Sequence, residues 1–184
     1  MGNPTKIEKI GRVLCVANKA FIGAHLFLVK ALKEAGNEVV SLSCGRTKED
    51  FYLKDEIKKE CDKTYTITDD SDSDILNDFL KSLFSENKFQ HVYTIGSMSM
   101  QKQVAEITKL YGIETTASVF PIMVDGTGMC GACKVTVDKI TKFACIHGPD
   151  FDAHGVDFDE LMTRMRFYTP YEKISMILQE EKVV

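Results

Sequence analysis

The sequence predicts an α/β protein: a five-stranded parallel sheet with helices on both faces, followed by a small C-terminal loop domain. Two patterns and the length carry this prediction. From residue 12 to residue 119, short apolar runs alternate with helix-length segments, and strands separated in that way pair in parallel. From Pro121 onward the alternation stops and short glycine-bearing segments replace it, as expected of a loop-built unit. A chain of 184 residues is long enough for one α/β domain plus an appendage. The boundary is therefore expected near residue 120, giving domains 1–120 and 121–184.

Taken in order, residues 12–16 (Arg-Val-Leu-Cys-Val) predict the first strand, and 20–35 a mostly apolar helix closed by Gly36. Residues 38–44 predict a second strand, 48–61 a charged helix, and 64–68 a third strand. The acidic run Asp69 to Asp74 suits a turn capping a helix at 74–84, with a cation site as the alternative. Residues 91–95 predict a fourth strand, 98–111 a helix, and 113–119 a fifth strand. A hairpin is expected through 134–145, then an amphipathic helix at 157–168 that Pro170 should stop.

Composition excludes several classes. A net charge of −4 offers nothing to nucleic acid or to an anionic membrane surface. No apolar run approaches the roughly 18 residues of a membrane span, and Met1–Lys9 has no apolar signal core. Lys6 stands where a myristoylation pattern wants Ser or Thr. A cytoplasmic location is expected. Six cysteines in a cytoplasmic chain are better explained as metal ligands or buried thiols than as disulfides. Cys15 and Cys44 fall in predicted strands and should pack as small apolar residues. Cys61 receives no role.

The chemistry concentrates in Asp125-Gly-Thr-Gly-Met-Cys130-Gly-Ala-Cys133, followed by Cys145. The pattern is D-x4-C-x2-C-x11-C, against the plant-type iron–sulfur spacing C-x4-C-x2-C…C. An aspartate stands where the first cysteine would be. Two thiolates on a glycine-rich loop, a third thiolate from a later strand, and an oxygen donor suffice for a two-iron cluster. Gly126, Gly128 and Gly131 allow positive φ and let backbone N–H groups face inorganic sulfide. Structural zinc, or a glycine-rich turn with buried cysteines, are the alternatives.

These residues also carry a resemblance. Pro121 to Cys133, Phe143 to His154 and Val156 to Met162 resemble the small subunit of NADH-dependent ferredoxin:NADP oxidoreductase, also called sulfide dehydrogenase. That family is related to the electron-transfer subunit of dihydroorotate dehydrogenase. The resemblance covers about Gly2 to Tyr171. It implies a Rossmann-like α/β domain of the ferredoxin-reductase NAD-domain type, then a [2Fe–2S] loop domain with Asp125, Cys130, Cys133 and Cys145 as ligands. In the family a flavin-binding barrel precedes these parts. Here Gly2–Gly11 resembles the linker that follows the barrel, and the expectation is a reduced subunit or the part of a longer one.

The family's glycine turn after the first strand, which brings backbone close to a pyrophosphate at a helix N-terminus, corresponds here to Ala17 through Ala24. Ala17, Asn18, Lys19 and Phe21 occupy the glycine positions. Lys19 alone could still attract phosphate. The segment after Thr68-Asp69-Asp70 is shortened, and Gly96-Ser97-Met98 lacks the family's proline. Arg46, in Gly45-Arg46-Thr47-Lys48, resembles a family arginine near the nucleotide and is expected to be either a vestige of that site or a solvated helix-start residue. The expectation is that FAD and NAD(P) are not bound by this chain alone. It then relays single electrons as a subunit of an oxidoreductase complex, with no catalytic residue of its own. The resemblance implies a large flavin and [4Fe–4S] glutamate-synthase-like partner, with or without further NADH- or ferredoxin-linked subunits, in an anaerobe. The alternative is an NAD(P)H-binding subunit that exchanges hydride with a flavin held elsewhere. His147 is expected to be a plain loop histidine or to tune the cluster; His154 is expected to be a plain loop histidine. Phe167, Tyr168 and Tyr171 are expected either to dock a partner or to cover the core.

Overall fold

A computed structural model describes residues 1–18, 21–68 and 74–180. Five strands lie parallel: β1 (Arg12–Asn18), β2 (Glu38–Gly45), β3 (Lys63–Thr68), β4 (His91–Ile95) and β5 (Glu114–Ser118). Helices α1 (Ile22–Glu34), α2 (Lys54–Glu60), α3 (Asp74–Glu86) and α4 (Met98–Leu110) connect them. The expected acidic turn 69–73 and Lys19 lie outside the described residues.

The sheet has six strands rather than five, in the order β3-β2-β1-β4-β5-β8. The extra strand, β8 (Asp150–Asp152), comes from the C-terminal part and runs antiparallel to β5. Three residues, two of them acidic, carry no strand signal of their own. Their pairing is decided by the free edge of β5.

The core follows strand alternation. In β1, Leu14 and Val16 face a cluster with Leu76, Leu80 and Leu83 of α3 and Val104 of α4. Val13 and Cys15 face the other way, against Val29 and Leu32 of α1. Cys15 and Cys44 are buried in strands as expected. His25 of α1 is fully buried, and its Nε2 lies 2.7 Å from Ser41 Oγ of β2.

The face over β4, β5 and β8 is covered by the arm Asn3–Ile10, beneath which lies a cavity of about 490 Å³. Asn37 anchors that arm. It accepts from the Ile10 and Gly11 N–H groups at 2.7 and 3.0 Å and donates to the Glu8 carbonyl at 2.9 Å.

The C-terminal part opens with the loop 119–133 and then the hairpin β6 (Lys134–Val137) and β7 (Ile140–Phe143). Its turn residues Asp138 and Lys139 have φ of 51° and 64°, the hand that matches strand twist. After it come the single turn α5 (Ala144–His147), β8, and α6 (Phe158–Met165). A final helix, α7 (Thr169–Glu180), follows a 3₁₀ turn. Pro170 thus sits in the first turn of a helix instead of ending one; there its missing N–H has no partner to lose. The expected helix 48–61 is likewise broken, into a 3₁₀ turn at Lys48–Phe51 and α2. Thr47 and Asp50 form a reciprocal cap that fixes the first piece.

Candidate metal centre

The loop carrying the candidate ligands is folded by its own aspartate. Asp125 Oδ1 accepts the Thr127 N–H and Oδ2 accepts the Cys130 N–H, each at 2.8 Å. These donors, Thr127 first, hold the Asp125 carboxyl below the usual carboxylate range, because they stabilise the charged form. Cys130 itself is exposed, and its Sγ lies 3.5 Å from the Ala132 N–H.

The other two candidates meet from separate elements. Cys133 precedes β6, while Cys145 stands on α5 and not on a strand as expected. The hairpin returns the chain, and the Ala144 N–H donates to the Cys133 carbonyl at 3.0 Å. The two sulfurs lie 3.2 Å apart, and each residue is only 2% exposed. Ala117, Val119, Phe151 and Leu161 belong to the same apolar cluster. Cys133 is the main cause that raises the Cys145 thiol above its usual range, whereas the Gly128 N–H pulls it down. The loop and the α5 turn touch at Gly128: a Cβ there, at φ +82°, would come within 2.8 Å of Ile146 Cγ1.

The four candidates therefore form two pairs, Asp125 with Cys130 and Cys133 with Cys145. Among the described residues, no three His, Cys, Asp or Glu side chains converge as a ready site for one metal ion.

A residue that the sequence did not single out braces this loop from behind. Arg164 of α6 donates to the carbonyls of Lys134 at 2.8 Å, Ala132 at 3.0 Å and Gly131 at 3.4 Å. The planar fork of a guanidinium suits such a set of acceptors. Only its place near the end of a predicted helix could have drawn attention. His147 packs beside Phe143, whose N–H lies 3.1 Å from His147 Nδ1. His154 Nε2 lies 3.0 Å from Thr108 Oγ1, a bond within the fold.

The other expected landmark is the crevice at the carboxyl ends of β1 and β4, where the strand order reverses. Ligands of doubly wound sheets bind there. Here Asn18, 3% exposed, accepts the Ser97 N–H at 3.0 Å and donates to Ser97 Oγ at 3.1 Å. Buried Gln101 donates to the carbonyls of Gly96 at 2.8 Å and Ser118 at 3.1 Å. The rings of Phe21 and Phe120 pack against each other, tilted by 38°, with centroids 5.4 Å apart. Arg46 is exposed, and its N–H donates to Asp50 at 2.7 Å.

Comparison with known proteins agrees with this geometry. Residues 121–157 match the family described as the iron–sulfur cluster binding domain of dihydroorotate dehydrogenase B. The chain is 41% identical, over 95% of its length, to the Thermotoga maritima dihydroorotate dehydrogenase B (NAD(+)) electron transfer subunit homolog. It is 40% identical over 83% of its length to a protein encoded in the adh 3′ region of Clostridium beijerinckii. It spans only 63% and 53% of these two relatives. Its fold matches a chain of the NADH-dependent reduced ferredoxin-NADP oxidoreductase, solved in work on flavin-based electron bifurcation. That match has a TM-score of 0.84 and 40% identity, covering 95% of this chain and 64% of that one. The chain is thus a homologue of the dihydroorotate dehydrogenase B electron-transfer subunits, and residues 121–157 are an iron–sulfur cluster binding domain of that family's kind.

Proposed function

We propose that this chain is an electron-transfer subunit holding a [2Fe–2S] cluster through Asp125, Cys130, Cys133 and Cys145, and that it relays single electrons between centres held by partner chains. The observation that carries the proposal is the pairing of the four donors. A structural zinc needs four donors converging on one point. Two adjacent pairs, one an oxygen with a thiol and one two thiols, suit a group with two metal atoms instead. The donor chemistry also fits: thiolates select iron–sulfur clusters among other soft centres. The nearby Gly128 N–H supplies the kind of donor that tunes cluster sulfur. When bound, the cluster supplies one-electron chemistry. The chain's part is to hold the donors, bury the Cys133–Cys145 side in an apolar cluster, and leave the Asp125–Cys130 side facing outward.

The crevice of the sheet supports the second half of the proposal, that NAD(P) and FAD are not bound by this chain alone. Asn18, bonded to Ser97, and the Phe21–Phe120 pair stand at the turn where the family's glycines would face a pyrophosphate. The chain would act with a large flavin and [4Fe–4S] subunit of the glutamate-synthase-like type, and with NADH- or ferredoxin-linked subunits, in the cytoplasm. No described helix is long and apolar enough to cross a membrane. Residues 1–120 and 121–184 are taken as the two domains, joined through the β5–β8 edge.

The test is anaerobic purification with assays of iron, acid-labile sulfide and visible absorption, repeated for Asp125→Ala, Cys130→Ala, Cys133→Ala and Cys145→Ala. Roughly two irons and two sulfides per chain are expected, with colour reduced in each variant. A colourless protein with stoichiometric zinc would overturn the cluster. Saturable micromolar binding of NADH or NADPH would overturn the relay role in favour of hydride exchange.

A further inference from the structure

We infer that Gly2 and Asn3 are positioning residues for the metal centre, forming a strap that fixes the turn bearing Cys145; the inference rests on the ligand assignment proposed above. The turn α5 is four residues long. A helix that short has no stability of its own, and its last carbonyls have no partner within it. Asn3 supplies the missing partners. Its Nδ2 donates to the carbonyls of Ile146 at 3.3 Å and His147 at 3.2 Å. Its main-chain N–H donates to the Gly148 carbonyl at 2.6 Å. One residue therefore caps three successive carbonyls directly after Cys145.

Gly2 makes that approach possible. Its φ is +73°, and a Cβ would overlap the Gly148 carbonyl oxygen and come within 3.2 Å of the Ala144 oxygen. A side chain at position 2 thus pushes the strap off the turn. Without the strap, α5 keeps the Gly148 N–H bond to Ala144 and the Ala144 N–H bond to Cys133, at 3.1 and 3.0 Å. These fix the start of the turn more than its end. Cys145 is one residue inside that start, and its sulfur must stay in register with Cys133.

Three variants test the strap. Asn3→Ala and Asn3→Asp remove the side-chain donor; a carboxylate has the same shape but can only accept. Gly2→Ala removes the space. Lys6→Ala, on the exposed part of the same arm, is the control. In the anaerobically purified holoprotein, iron release to excess chelator should be roughly five-fold faster in both Asn3 variants, the effect of one ordinary net hydrogen bond. It should be faster still in Gly2→Ala and parental in Lys6→Ala. The urea midpoint should fall only slightly in the Asn3 variants, by no more than one ordinary net hydrogen bond, and stay parental in Lys6→Ala. In the metal-free protein, amide exchange at residues 145–148 should accelerate in the same three variants. Parental exchange at 145–148 in Asn3→Ala and Gly2→Ala would overturn the strap. Faster exchange with parental iron release would overturn its role in holding the centre. A parent chain without iron and sulfide would instead refute the ligand assignment, and the exchange arm would still decide whether the strap holds the turn.

Discussion

Replacing His25 by glutamine should flatten the pH dependence of stability on the acid side. His25 is fully buried between α1 and β2, its Nδ1 has no partner among the described residues, and burial lowers its pKa from 6.5 to about 4. The neutral ring suits the folded state and the protonated ring does not. The folded pKa is depressed, so between the two values the unfolded chain binds the extra proton and stability rises with pH. Stability is intact above about pH 7, begins to fall through 6.5, and reaches its full loss below about 4. From about pH 8 to about pH 5.5, the linkage relation with these two values gives a loss of about 1.4 kcal/mol. The neighbouring Cys61, raised to about 12, stays neutral throughout and adds nothing. The assay is urea unfolding of parent and His25→Gln at both pH values, using the difference between the slopes, which cancels groups common to both chains. Glutamine can still reach Ser41 but cannot titrate. A parent and variant that lose equal stability over that range would refute the burial argument.

Other outcomes follow from contacts farther along the chain. Arg164→Lys keeps the charge but not the fork, so the loop 131–134 should loosen; a cost of about 1–2 kcal/mol and a shifted visible spectrum of the iron-loaded protein are expected. Unchanged spectrum and urea midpoint would count against that brace. Phe167, Tyr168 and Tyr171 are exposed. Alanine at all three should leave the isolated chain's thermal midpoint within about 2 °C while weakening co-purification with a flavin-bearing partner. Intact assembly would remove the docking role.

The sheet was legible because β1, β2 and β4 are apolar runs, β3 and β5 are rich in β-branched threonine, and helix-forming segments separate all five. Val39, Val40 and Leu42 announce a strand buried on both faces. β8 was not legible, because Asp150-Phe-Asp152 pairs only through the edge that β5 offers. The turn under Cys145 escaped for the same reason: Ala-Cys-Ile-His has no helical period at four residues, and its caps come from Asn3, some 143 positions away. Pro170 misled because a proline that stops one helix is equally fit to begin another. The candidate ligands were legible as a spacing. Their pairing was not, since the 3.2 Å approach of Cys133 to Cys145 depends on a hairpin register and on the apolar cluster around Ala117 and Phe151.

The proposal that the crevice does not bind NAD(P) is best tested by placing a glycine in it. Asn18 does more than obstruct: its amide grips both the N–H and the hydroxyl of Ser97, and Ser97 is the N-cap of α4, accepting from Met100 N–H. Helix α4 is shared between the two parts of the molecule. Met98 and Ala105 pack in the cluster with Cys133 and Cys145, while Met100 and Val104 pack under the sheet. A side chain that stands in the crevice thereby steadies the helix on which the metal-binding part rests. Asn18→Gly should then cost about 1 kcal/mol, because the half-buried Ser97 N–H loses its partner, with a further few tenths from added chain entropy. It should not recover NADH binding, since Phe21 and Phe120 still fill the adjoining space. Measured by urea unfolding and by calorimetric titration, a stable variant that binds NADH would mean that Asn18 is only a plug, and that the crevice beneath it remains a working site.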